Sequence, residues 1–200
     1  NLGVDGATLA DNLLELKLFL RKNSMNYLFL QIDNNLEHLK PSNISLAEAM
    51  PFLSDSVVFN HSKQFIEQSE ALKSIPFYRY ALNDAKIGFR ELLLSALHKK
   101  PAIDLSDGFT PRFGNSIPDG PVQKLEETIG LKQNPILEQI KTLCQKHHVR
   151  LVLFISPYCS KMNIENYIQR MKKIEPGLID LSRGYDDALF FNCGHLNAQG

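Results

Sequence analysis

The chain has 200 residues, enough for one domain with a sizeable hydrophobic core. Hydrophobic residues make up 44% and charged residues 22%, which is ordinary for a globular protein. Basic and acidic residues both total 22, and this zero net charge argues against a nucleic-acid binder with a basic face. No apolar run approaches about 18 residues, so we expect no direct membrane span.

The first 35 residues predict the end of a strand, a glycine turn, a helix and a second strand. The turn covers residues 3–8, and Thr8 with Asp11 resembles a capping box that starts the helix. Leucines then recur at helical spacing. Residues 27–32 are almost all apolar, a pattern typical of a strand buried on both faces of a parallel sheet.

The stretch from about residue 36 to residue 130 differs from the rest. Its strand signals are weak, and we interpret it as a helical insertion. Residues 62–74 predict one helix and residues 78–98 a longer one. Residues 104–120 combine glycines, prolines and polar residues between aromatics, which predicts a loop.

Regular alternation of helix and strand returns after residue 134. Helices are predicted at residues 135–147 and 163–174, and strands at residues 149–155 and 178–181. Alternation of this kind favours an α/β fold, a three-layer α/β/α arrangement around a central parallel sheet.

In such sheets, binding sites form in the loops at the carboxyl ends of the strands. Four loops qualify, namely residues 3–8, 33–35, 156–158 and 192–195. The glycine turn has neither the spacing of a dinucleotide fingerprint nor the Gly-Lys-Ser/Thr of a phosphate loop. The four loops can converge on one edge of the sheet if it is parallel.

Three of these segments resemble, in order, the sequence blocks of the SGNH, or GDSL-like, hydrolase superfamily. Residues 1–8 (Asn-Leu-Gly-Val-Asp-Gly-Ala-Thr) are similar to its glycine block and residues 30–35 (Leu-Gln-Ile-Asp-Asn-Asn) to its asparagine block. Residues 190–200, with the run His-Leu-Asn-x-x-Gly, are similar to its terminal block. The resemblance implies a flavodoxin-like SGNH fold over residues 1–200, with the helical insertion within it.

The resemblance also implies a division of roles. His195 is the catalytic base, and the backbone of Gly6 and the amide of Asn34 form the oxyanion hole. Asn192 stands where the family has an aspartate, so it brings no negative charge to orient the imidazole. Asp186 or Asp187 is a possible substitute. Nothing in this set requires a metal or another cofactor.

The serine block of the family has no counterpart in these residues. The family places that serine some thirty residues ahead of the glycine block, so we expect the chain to be part of a longer domain, truncated at both ends. Ser156 follows a strand, but Pro157 behind it blocks the usual start of a helix.

The three cysteines, Cys144, Cys159 and Cys193, are odd in number and widely spaced, so the sequence predicts neither a disulfide framework nor a metal site. We interpret them as small buried residues. Cys193 lies two residues from His195, which makes a nucleophilic cysteine the alternative for that residue.

The leading functional hypothesis is an esterase, deacetylase or O-acyltransferase that acts on an acylated carbohydrate or similar small ester. Arg112 and Tyr158 are candidate substrate contacts. The resemblance implies a bacterial protein of the periplasm or cell envelope, and the oligomeric state is left open. The alternatives are a non-catalytic SGNH-like module that binds a glycan or a protein partner, and another doubly wound binding domain.

Overall fold

The computed structural model describes residues 7–33, 36, 38–75, 78–79, 97, 112–117, 119–124 and 134–200. These residues cluster into two compact units. The helical unit comprises residues 1–24 and 38–104, and the sheet unit comprises residues 25–37 and 105–200. Residues 38–104 of the predicted insertion therefore cluster with the first helix. The prediction of one SGNH-like domain over residues 1–200 stays a prediction.

The helical unit contains α1 (Leu9–Leu20), α2 (Asn43–Ala49), α3 (Ser56–Ser62) and α4 (Ser69–Ser74), with a 3₁₀ turn at Met50–Phe52. The capping box at Thr8 is confirmed, because the backbone N–H of Thr8 donates a 2.8 Å hydrogen bond to the buried carboxylate of Asp11. Asp11 also accepts the backbone N–H of Ser42, the N-cap of α2, and so joins the starts of the two helices.

The prediction of one helix over residues 62–74 is wrong. Asp55 caps α3 by accepting hydrogen bonds from two backbone N–H groups, so the helix begins earlier than predicted. The helix ends at Ser62, whose carbonyl accepts a hydrogen bond from the backbone N–H of Phe65. The chain then restarts as α4. This break lets both helices contribute to one hydrophobic core, which consists of Met50, Leu53, Val58, Phe59 and Leu72.

His61 of α3 is buried in the helical unit, with 3% of its surface exposed. Its ring packs 5.2 Å from that of Phe65, and neither ring nitrogen has a hydrogen-bond partner among the described residues. Burial lowers the pKa of His61 to about 4, and the positive charge of Lys17 adds to this effect, while the negative charge of Asp11 opposes it. His61 is therefore neutral in the folded protein near neutral pH.

Among its described residues, the sheet unit is built on three parallel strands, β1 (Tyr27–Gln31), β3 (Arg150–Ile155) and β5 (Ile179–Asp180), with β3 in the middle. Two shorter pairings lie outside this sheet. β2 (Gln123–Lys124) runs parallel to β4 (Met162–Asn163), and β6 (Phe190–Asn192) runs antiparallel to β7 (His195–Leu196). The parallel sheet and its accompanying helices confirm an α/β fold.

Two helices lead into the strands of this sheet, α5 (Pro135–Lys146) into β3 and α6 (Glu165–Ile174) into β5. Asn134 caps α5 and Pro135 occupies its first turn, a combination that favours helix initiation. The amide of Asn134 also donates to the carbonyl of Leu36, which fixes the start of α5 to the chain that follows β1. These bounds confirm the helix–strand alternation predicted after residue 134.

The expectation that β1 is buried on both faces is wrong. Tyr27 is 53% exposed and Phe29 66% exposed, whereas Leu30 is buried. Successive side chains of a strand point to opposite faces, so the apolar run supplies one buried and one open face. On the open face the Tyr27 and Phe29 rings stack with centroids 6.3 Å apart, and the Arg150 guanidinium lies 5.8 Å from the Tyr27 ring.

Candidate functional site

The loops that follow β1 and β3 meet at the carboxyl edge of the sheet, as the parallel arrangement requires. Asp33 follows β1 and is only 6% exposed, and its carboxylate accepts hydrogen bonds from the hydroxyl of Ser156 (2.8 Å) and from its backbone N–H (3.3 Å). The side-chain amide of Gln31 donates to the same carboxylate and, at 3.0 Å, to the Ser156 hydroxyl oxygen. A buried carboxylate thus holds both strand ends together.

Tyr158 adds a fourth donor to this carboxylate. It is 9% exposed, and its phenol hydrogen-bonds to Asp33. Burial raises the pKa of Tyr158, and the negative charge of Asp33 raises it further, so the phenol stays protonated and remains a donor. Its ring lies beside Gly194, where an added Cβ would be 3.9 Å from the ring. Tyr158 therefore lies against both the carboxyl ends of the parallel strands and the β6–β7 hairpin.

The predicted pair Asn192 and His195 is brought together across the β6–β7 hairpin. Nδ1 of the His195 ring is 2.8 Å from Oδ1 of Asn192, and the backbone N–H of Gly194 donates to the same oxygen over 3.1 Å. Because a backbone N–H can only donate, this atom of Asn192 must be the acceptor oxygen. The ring therefore carries its hydrogen on Nδ1, and Nε2 of the exposed His195 side chain has no hydrogen-bond partner among the described residues.

The hairpin position corrects one expectation. Residues 192–195 were expected in a loop of the parallel sheet, but in the described part of the chain β6 and β7 pair with each other and not with that sheet. What brings this loop to the sheet edge is a disulfide between Cys159, in the loop after β3, and Cys193. A backbone hydrogen bond from Cys159 to Cys193 runs alongside it.

The disulfide overturns the interpretation of Cys159 and Cys193 as unpaired residues, and it excludes Cys193 as a nucleophile because its sulfur is bonded. Cys144 is the free buried cysteine, and burial raises the pKa of its thiol. The sequence did contain a signal for the pairing. Both cysteines lie in or next to loops predicted at the same sheet edge.

Neither aspartate considered as a substitute partner of His195 serves that role. The carboxylate of Asp187 accepts the backbone N–H (2.7 Å) and hydroxyl (2.5 Å) of Ser160. That hydroxyl lowers the pKa of Asp187, and the backbone hydrogen bond lowers it further. Asp186 caps the 3₁₀ turn at Asp187–Leu189 by accepting from Ala188. Asn192 is therefore the residue that orients the imidazole.

Arg112, the other candidate for a substrate contact, is exposed. Its guanidinium lies 5.5 Å from the ring centroid of Phe191, the residue that precedes Asn192. The carbonyl of Arg112 accepts a 2.7 Å hydrogen bond from the backbone N–H of Ala198. Gly6 and Asn34, the predicted oxyanion donors, lie outside the described residues, as do most residues of the predicted helix at 78–98.

A surface cleft of about 250 Å³ borders the segment that follows His195. The buried side chain of Asn197 is part of its lining and donates hydrogen bonds to the carbonyls of Ala188 (2.7 Å) and Gly114 (3.3 Å). The lining residues come from the loop after Arg112, from the 3₁₀ turn and from the end of the chain: Phe113, Gly114, Asn115, Ala188, Asn197, Ala198 and Gln199.

In the part of the chain that the structure describes, no three or more His, Cys, Asp or Glu side chains are grouped so that they could hold a metal ion. Within those same ranges, no helix has the length and apolar character needed to cross a bilayer.

Comparisons with models of known protein families, with curated proteins and with solved structures found no match for this chain. Membership of the SGNH superfamily therefore stays a prediction that rests on the sequence blocks.

Proposed function

We propose that this chain carries the catalytic base of an SGNH-type ester hydrolase, deacetylase or O-acyltransferase, acting on an acylated carbohydrate or similar ester. The observation that supports this most is the hydrogen-bonded set of Asn192, Gly194 and His195. It fixes the imidazole with its hydrogen on Nδ1 and leaves Nε2 as an exposed base. An orienting partner on Nδ1 and a free Nε2 are what a serine-activating histidine needs.

In the proposed reaction, Nε2 of His195 takes the proton of a serine hydroxyl as its oxygen attacks the ester carbonyl. The same proton then passes to the departing alcohol oxygen, and the bond between carbonyl carbon and alcohol breaks. Water releases the acyl group in a hydrolase, whereas a sugar hydroxyl receives it in a transferase. The family places the serine in a turn ahead of the glycine block.

The developing oxyanion would be held by the backbone N–H of Gly6 and the amide of Asn34. One such donor contributes about 3 to 4 kcal/mol to transition-state stabilisation. The exposed Arg112 guanidinium, beside the hairpin that carries His195, is the proposed polar contact to substrate, and Tyr158 is proposed to line the same edge. The proposed fold is the three-layer, flavodoxin-like SGNH arrangement.

The Cys159–Cys193 disulfide supports a proposed location in the bacterial periplasm or cell envelope. Disulfides form and persist in oxidising compartments and are rare where glutathione and thioredoxin keep thiols reduced.

The test is an acetyl-ester assay on the full-length natural protein with a chromogenic leaving group. We expect His195→Ala to lower kcat at least about 10³-fold, because the serine then lacks its base. His147→Ala, which removes an exposed histidine at the end of α5, is the matched control and should keep wild-type activity. Equal rates for the wild type and His195→Ala would remove the hydrolase proposal.

One observation favours a second candidate, a non-catalytic module that binds a glycan or a protein partner. Asn192 orients the ring but supplies no negative charge to stabilise the imidazolium. Under this alternative the assay shows no ester turnover, and acetylated polysaccharide binds equally well to the wild type and to His195→Ala.

A further inference from the structure

The hairpin that carries Asn192 and His195 has little structure of its own. β6 has three residues and β7 two, and a register irregularity lies between Phe190 and Asn192. Isolated two-stranded hairpins are marginal in water even when longer. The geometry of the turn at residues 192–195 must therefore come from contacts with the rest of the sheet unit.

The two ends of the hairpin and its turn are held differently. At the ends, Phe190 is fully buried, the carbonyl of Phe191 accepts the backbone N–H of Ser116, and the backbone N–H of Asn197 donates to Leu189. At the turn, Cys193 is bonded covalently to Cys159, a parallel backbone hydrogen bond of 3.2 Å joins the same two residues, and the Tyr158 ring lies beside Gly194.

The other end of this disulfide is firmly anchored. Cys159 is fully buried, and it follows the loop that Ser156 and Tyr158 fix to the Asp33 carboxylate. The backbone N–H of Tyr158 also donates to the carbonyl of Ser182 over 3.1 Å, which joins this loop to the segment after β5.

We propose that the Cys159–Cys193 disulfide is the positioning element of the His195 base, an inference that rests on the proposed function and deepens it. Cys193 lies between Asn192 and Gly194. The backbone N–H of Gly194 and the His195 ring both hydrogen-bond to Oδ1 of Asn192, and all of these groups lie in the same turn. If the turn moves, Gly194 no longer fixes the amide, and the ring hydrogen distributes over Nδ1 and Nε2.

The replacement of aspartate by Asn192 makes this positioning necessary. A charge-assisted hydrogen bond is roughly twice as strong as a neutral one, so a carboxylate could hold the imidazole even in a mobile turn. The neutral amide of Asn192 binds the ring more weakly and acts only where the backbone keeps it in place. The disulfide supplies that constraint without supplying charge.

The test observes the tautomer of His195 directly, by ¹⁵N NMR of the imidazole nitrogens in the full-length protein, with the His195 signals assigned by their loss in His195→Ala. In the oxidised wild type we expect a protonated Nδ1 and an unprotonated Nε2. In Cys159→Ala/Cys193→Ala we expect the averaged signals of a tautomer mixture. Cys144→Ala, which removes the buried free thiol, is the control and should retain the wild-type signals. An unchanged Nδ1–H tautomer in the double variant would overturn the proposal.

A second route avoids substitution. Dithiothreitol passes two electrons and two protons to the disulfide, giving two thiols while the reagent closes to its own cyclic disulfide, and the reduced wild type should match the double variant. Backbone amide signals of α5 and β3 report whether the fold persists. Loss of those signals in both samples would also overturn the proposal, because the disulfide would then hold the fold as a whole.

Activity separates this inference from the proposed function. If the protein is an esterase, loss of the disulfide should lower kcat about 10²-fold with little change in KM, the effect of misplacing a catalytic group. A tautomer change in a protein without ester turnover would sustain the positioning role and defeat the proposed function. Ester turnover with an unchanged tautomer would support the proposed function and defeat the positioning role of the disulfide.

Discussion

Ser156 donates its hydroxyl hydrogen bond to the carboxylate of Asp33 over 2.8 Å, although 123 residues separate the two along the chain. This contact joins the ends of two neighbouring parallel strands at the edge where the candidate site lies. The carboxylate is buried and accepts hydrogen bonds from Ser156 and Gln31, so it holds in place the loop that leads to Cys159.

Asp33→Ala should therefore lower the free energy of unfolding by about 2 to 4 kcal/mol. The substitution leaves the buried donors of Ser156, Gln31 and Tyr158 without their acceptor, and unpaired buried polar groups carry such a cost. Urea denaturation measures the change. Asp119→Ala, at an exposed aspartate of the same unit, should stay within about 0.5 kcal/mol of wild type. A similar loss in both variants would contradict the role given to Asp33.

Tyr158 should make the protein sensitive to alkali. Its pKa is raised in the folded state, so its contribution to stability is fully present below the unfolded value of about 10 and is lost as the pH rises above it. Within that window the free energy of unfolding should fall by about 1.4 kcal/mol per pH unit. Tyr158→Phe should show a weaker dependence in denaturation series at increasing pH, whereas the exposed Tyr185→Phe should behave as wild type. Identical slopes in all three proteins would rule this out.

His61 should give the opposite dependence at acid pH. Its folded pKa of about 4 lies below the unfolded value of about 6.5, so its contribution is present above pH 6.5 and is lost as the pH falls towards 4. The contribution of His61 amounts to about 3 kcal/mol, and denaturation experiments across this pH range measure it as a change in the free energy of unfolding. His61→Phe removes the titrating group and should flatten the curve, while His38→Phe, at an exposed position, should not. A curve that His61→Phe leaves unaltered would contradict the assignment.

Asn192→Asp should raise activity if the proposed function holds. The hydrogen bond to Nδ1 is already in place, so the substitution adds only the missing charge, which stabilises the imidazolium formed in the transition state. We expect kcat/KM for an acetyl ester to rise about 10- to 10²-fold in the full-length protein, with Asn60→Asp, at an exposed asparagine, unchanged. A fall in activity would indicate that Asn192 serves another purpose.

Thiol counting should reveal the disulfide. The sequence has three cysteines, two of which are bonded to each other, so the denatured but unreduced chain should expose one reactive thiol and the reduced chain three. Cys159→Ala/Cys193→Ala should lose about 4 kcal/mol of stability, the chain-entropy value for a loop closed over 34 residues. Three thiols before reduction would refute the pairing.

Local chemistry in the sequence predicted much of this fold. Thr8 with Asp11 marked the start of α1, because a cap acts on backbone groups within a few residues. The apolar spacing after residue 134 predicted α5, which begins at Pro135 as expected. The Asn192–His195 pair was also predictable, since its members lie three residues apart.

What the sequence did not reveal depends on long-range neighbours. The pairing of Cys159 with Cys193 follows from two loops meeting at one sheet edge, and spacing alone does not determine such a connection. The exposure of Phe29 likewise depends on what packs against each face of β1, which an apolar run cannot specify. Gly6 and Asn34 lie outside the described residues, so the oxyanion hole stays a prediction.

The disulfide has one more consequence, for proteolysis. It closes a covalent ring that contains β4, α6, β5 and β6, and the exposed bend at Arg183, Gly184 and Tyr185 lies on that ring. A single cut at this bend opens the ring but releases no fragment, because the segment with His195 stays bonded through Cys193 to Cys159 in the loop after β3. A nicked molecule would keep its mass, apart from the added water, until it is reduced.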